Sequence, residues 1–68
     1  MSDHIYRVTE VVGTSTKGSD DAVRSAVAKA SETLHDLEWF EVVETRGSIG
    51  NGAITHFQVT LKIGFKLD

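Results

Sequence analysis

The stretch Leu37-Glu38-Trp39-Phe40-Glu41-Val42-Val43-Glu44-Thr45-Arg46-Gly47 holds the single tryptophan of the chain and reads as a β-strand with two unlike faces. Side chains alternate along a strand, so Phe40 and Val42 point one way while Trp39, Glu41, Val43 and Thr45 point the other. A chain of 68 residues can cover only one sheet face with a helix of its own. The Trp39 face must then meet solvent, another subunit or a ligand, and a bare indole facing water is the least favourable of the three.

Working outward toward the C-terminus, this strand is expected to reach Ile49. Gly50-Asn51-Gly52 then supplies residues that accept positive φ, the mark of a tight hairpin. The strand after it has the strictest pattern in the chain. Phe57, Val59, Leu61, Ile63, Phe65 and Leu67 fall on one face, and His56, Gln58, Thr60, Lys62, Gly64 and Lys66 on the other. A period of two with one apolar face predicts a half-buried antiparallel strand.

Toward the N-terminus, His35-Asp36-Leu37 is a short link, preceded by a helix expected from about Asp20 to about His35. Val23, Ala26, Val27, Ala30 and Leu34 make its apolar stripe, small enough to lie close on a sheet. Gly18 or Ser19 is the expected N-cap, with Asp20 and Asp21 in the first turn, where the helix dipole favours negative charge. Gly13-Thr14-Ser15-Thr16-Lys17-Gly18 reads as a loop of turn-forming residues. Before it, the β-branched and aromatic run Ile5 to Val12 predicts a first strand, and Met1 to His4 an irregular start.

These elements give a β-α-β-β chain of the α+β class, one domain over 1–68. The hairpin makes the second and third strands antiparallel neighbours, and the helix returns the chain parallel to its start. With the long third strand in the centre, the predicted order is 1-3-2, a three-stranded antiparallel sheet wrapped on one helix. Phe40 and Val42 are expected in the core beneath that helix. The opposite face carries Trp39, Val43, Gln58 and Thr60, a surface suited to a planar heteroaromatic ligand. An indole stacks on such a ring, and a glutamine both donates to and accepts from an imide edge.

Composition narrows the function classes. A chain this short buries only about 60% of the surface its unfolded form exposes. With no cysteine to staple it, oligomerisation or a bound ligand is the remaining source of stability. A formal charge of −3 and a sequence pI near 5.5 argue against nucleic acid as partner. No apolar run is long enough to span a membrane and none resembles a secretory leader, which favours the cytoplasm. His4, His35 and His56 lack metal-ligand spacing, and no Ser/His/Asp or Cys/His arrangement or phosphate-cradling glycine motif is present.

The combination of Val12-Gly13-Thr14-Ser15, Leu37-Glu38-Trp39-Phe40-Glu41-Val42, Arg46-Gly47, Phe57-Gln58-Val59 and Ile63-Gly64-Phe65-Lys66-Leu67 resembles the dodecins, over nearly the entire chain. That resemblance implies a hollow homo-dodecamer of β-α-β-β subunits. It also implies flavins bound in stacked pairs between symmetry-related tryptophans, held as a store or buffer and not turned over by an enzyme. Trp39 would be the stacking residue, Gln58 the amide at the flavin's pyrimidine edge, and Arg46 a neighbour of the polar tail. FMN is the flavin implied for a bacterial relative, with riboflavin and FAD as alternatives. Some relatives also hold coenzyme A, and the positions matching those basic contacts are Arg7, Lys29 and Lys66.

Each residue also has a plainer reading. Trp39 could be a dry subunit contact, and Gln58 a solvent-facing strand residue. Arg46 lies seven residues from Trp39, so a regular strand would send it to the helix side. Reaching the Trp39 face requires a bulge near Gly47 or a position beyond the helix's cover. Two rival functions follow, a flavin-dependent oxidoreductase and a ligand-free oligomeric shell. The oxidoreductase is disfavoured, because a ring clamped between tryptophans offers no face to a substrate and no general acid or base stands out.

Overall fold

The computed structural model describes residues 3–67. Of the irregular start expected for Met1 to His4, Asp3 and His4 carry no regular structure, and Met1 and Ser2 lie outside the described residues. The elements are β1 (Tyr6–Ser15), α1 (Ser19–Ala30), β2 (Leu37–Gly50) and β3 (Ala53–Lys66). Both pairings are antiparallel and the sheet order is β1-β3-β2, as the pattern predicts. The β2–β3 hairpin turns through Asn51 and Gly52, at φ 52° and 77°. Two consecutive positive φ values between the paired Gly50 and Ala53 are the primed turn that matches strand twist.

Register assigns every residue a side. Val59, Leu61 and Ile63 of β3 are buried under α1, together with Ala22, Ala26 and Ala30. The alanine line at i, i+4, i+8 is the contact ridge, with Val23 and Val27 half-buried beside it. The expected stripe of Val23, Ala26, Val27, Ala30 and Leu34 is therefore rotated slightly, and Ala22, absent from it, is the most deeply buried helical residue at 0% exposed. The small side chains let the helix axis come down on the sheet.

Gly13 permits the closest point of that approach. It was expected in a loop, but it is buried within β1 opposite Val59. A Cβ there would collide with the Ala22 carbonyl oxygen and sit 2.9 Å from the Ala26 Cβ. Gly18 is the N-cap, with no side-chain cap of its own. Ser15 supplies the order instead: its Oγ donates to Asp21 Oδ2 at 2.7 Å and accepts from the Lys17 amide at 2.9 Å.

The helix is shorter than its apolar spacing suggests, ending at Ala30 and not near His35. The amides of Thr33 and Leu34 still reach back to the Ala30 carbonyl, at 3.2 and 2.9 Å, before Asp36 turns the chain with φ 60°. A helix about 10 Å wide spans little more than two strands spaced about 4.8 Å apart. Here it lies over β1 and β3, and the expectation that Phe40 and Val42 are core residues is corrected. They face the helix side, paired with Ile63 and Leu61, but stay 51% and 45% exposed. Val23, Val27, Phe40 and Val42 line an open groove between α1 and β2.

The result is a long, thin chain of 56 × 20 × 13 Å. Its radius of gyration is 14.3 Å, against about 11 Å for a compact domain of this length. Apolar side chains left open on both faces and at the hairpin tip include Val8, Val12, Ile49 and Ile54.

Candidate functional site

The face of the sheet turned away from α1 carries the predicted ligand residues, and the register fixes their rows. Val8, Gly64 and Trp39 lie in one row across β1, β3 and β2. Glu10, Lys62 and Glu41 follow, then Val12, Thr60 and Glu44, then Thr14, Gln58 and Arg46. Beyond these, His56 faces Ser48.

Trp39 is 42% exposed, and its indole covers Gly64. A Cβ at Gly64 would fall into the ring against Cε2 and Cζ2, with Nε1 at 2.7 Å. The indole therefore fills the place a side chain at Gly64 would take, while much of the ring stays open to the surroundings. Gly64 is thus part of the site, although its sequence reading placed it only on the correct face. The signal available was a glycine in mid-strand, which marks a close approach.

Arg46 reaches the Trp39 face through a bulge, but not where expected. The register shifts between Val42 and Glu44, so Val43 has no partner and the alternation inverts after it. Thr45, assigned by simple alternation to the Trp39 face, is paired with Val59 on the helix side. Glu44 takes its place opposite Thr60, and Arg46 stands directly opposite Gln58. The Glu44 carboxylate lies 3.9 Å from the Arg46 guanidinium, both well exposed. Glu41 faces the same side, with Lys62 opposite it.

Trp39 and Gln58 are not neighbours. Gly64, the partner of Trp39, is six residues from Gln58 along β3, or about 20 Å at 3.4 Å per residue. That exceeds the length of a three-ring heterocycle. Within one copy Trp39 and Gln58 therefore stand rows apart, whereas Gln58 and Arg46 share a row. The basic positions are dispersed as well. Arg7, opposite Phe65, is on the helix side and Lys66 on the other. Lys29 is on α1 with its ammonium 3.4 Å from Glu32.

Among the described residues, no group of three or more His, Cys, Asp or Glu is placed to hold a metal ion. No helix among the described residues is long and apolar enough to cross a membrane.

Comparison with known proteins agrees with this architecture. The family model described as Dodecin matches residues 5–68. Dodecin of Thermus thermophilus is 45% identical over 64 residues, covering 94% of this chain and 93% of that protein. The structure of dodecin from Streptomyces coelicolor superposes with a TM-score of 0.94 at 60% identity, covering 100% of this chain and 97% of that one. Dodecin from Streptomyces davaonensis superposes at 0.93 with 58% identity, covering 98% of each chain.

Proposed function

The chain belongs to the dodecin family of small flavin-binding proteins, and from that premise we propose that it stores FMN in a hollow homo-dodecamer, with the ring stacked on Trp39 and the emission quenched. The observation carrying this reading is the indole packed against Gly64 with much of its surface open. An aromatic ring held in place and exposed stacks with little loss of side-chain entropy. The separation of Trp39 from Gln58 makes the site a composite. The indole comes from one copy, and the Gln58 amide and Arg46 guanidinium come from another. Gln58 holds the pyrimidine edge, and Arg46 meets the phosphate with paired, charge-assisted bonds.

Assembly has its own support. Two uncovered strand edges, the open groove between α1 and β2 and the exposed Ile49 and Ile54 all ask for partners. With each ring enclosed between indoles, no face is left for a substrate, and the protein binds and protects and does not turn over. Arg7, Lys29 and Lys66 are not gathered by one copy, and coenzyme A is not part of this proposal.

The test is a purified sample reconstituted with FMN, followed by absorption, emission and sedimentation. A flavin spectrum with most of the fluorescence lost, on a particle of many subunits, is expected. A folded monomer of 7.4 kDa at micromolar concentration, or no flavin retained, overturns the reading.

A further inference from the structure

The row beyond Gln58 and Arg46 on the open face is polar without being acidic. His56 of β3 stands opposite Ser48 of β2, whose Oγ lies 2.9 Å from Nδ1 and 3.2 Å from Nε2. Thr55 Oγ1 is 2.9 Å from the same Ser48 oxygen and donates to the Ser48 carbonyl oxygen at 3.2 Å, so Ser48, Thr55 and His56 form one polar cluster. On the β1 side, Thr14 and Thr16 line a pocket with His56. His56 is half-buried, and cross-strand diagonal neighbours such as His56 and Arg46 lie about 7–8 Å apart or less.

Resting on the flavin reading above, we propose that His56 is a specificity-determining residue, forming with Arg46 and Ser48 the phosphate end of the site and favouring the phosphorylated flavin. Arg46 alone offers a guanidinium shared with Glu44. The His56 imidazole one row further on, in its protonated form, adds a second positive charge on the side away from Glu44. Ser48 touches both the ring and Thr55 and so keeps the imidazole on this row. The charged groups on the packed elements are few. β2 brings Arg46 and Glu44. Behind β1, Asp21 takes the Ser15 hydroxyl hydrogen on the helix side, and Lys17 follows in the loop. None of them opposes His56 across its own row.

A histidine charges in the same pH range in which a phosphate monoester loses its second proton, near pH 6. The pH profile of the wild type alone is therefore ambiguous, and the comparison must be made against variants. FMN and riboflavin are titrated by fluorescence quenching at pH 6 and pH 8 into wild type, His56→Gln and His56→Lys. The preference for FMN should be roughly three- to fivefold larger in wild type than in His56→Gln at pH 6, and nearly equal at pH 8. His56→Lys should hold the larger preference at both. Riboflavin affinity, which reports the ring alone, should match in all three. A wild-type to His56→Gln ratio near one at pH 6, or one that does not change with pH, overturns the role of His56 while leaving the flavin store intact. Failure of the wild type to bind either flavin removes the store and this inference together.

Discussion

Gly13 and Gly64 are both buried glycines in mid-strand, on opposite faces of one sheet, and both are bare because something lies on them. What lies on Gly13 is backbone: the Ala22 carbonyl of a helix tied to the sheet along its length. What lies on Gly64 is the far end of one side chain, the Trp39 indole. The first contact belongs to the core and has nowhere to go. The second is a detachable cover on an otherwise open face. A sheet this small thus keeps its core on one side and leaves the other for the recognition proposed above.

The largest effect should come from the helix side. Gly13→Ala forces α1 off the sheet and should lower stability by about 2–4 kcal/mol, read as a drop in unfolding midpoint at fixed protein concentration. Gly64→Ala should leave that midpoint within ~1 kcal/mol, because the indole can lift. It should nevertheless cost flavin about 1–3 kcal/mol of affinity and restore emission, matching Trp39→Ala. If Gly64→Ala unfolds the protein as readily as Gly13→Ala does, the two faces are not separable in this way.

Within the recognition face, Arg46→Ala should weaken FMN by about 1–2 kcal/mol and leave riboflavin nearly unchanged. Equal losses for both flavins would make Arg46 an assembly residue. The smallest effect is ionic strength. Raising salt from low to physiological levels should narrow the wild-type preference for FMN by a few tenths of a kcal/mol, since Arg46 is exposed and screened. The same titration on Arg46→Ala should show a flatter response.

The sequence made the helix face largely legible and the other face only in part. The unbroken alternation from Phe57 to Leu67 places Val59, Leu61 and Ile63 in the core, and Asn51-Gly52 locates the hairpin. Strand order followed from these. The helix stripe missed Ala22, because valines dominate a hydropathy count while alanines decide how near two backbones come. Phe40 and Val42 sit on the expected side, but how many strands one helix roofs is a matter of width, which periodicity does not encode. Gly13 resembled a loop because glycine beside threonine and serine usually is one. On the open face, the orientation of Trp39 and Gln58 was legible, but the distance between them within one copy was not. Orientation depends on parity, whereas distance depends on pairing register.

Val43 shows what that parity is worth. Trp39 and Arg46 lie an odd number of positions apart, and only the unpaired residue between them brings both to one surface. A homologue lacking one residue there would keep tryptophan, arginine and glutamine in order and align almost without penalty. Its arginine would nevertheless emerge on the helix side of the sheet. A checklist of retained residues is therefore blind to the loss, and the interval between Trp39 and Arg46 is as much a part of the site as either side chain.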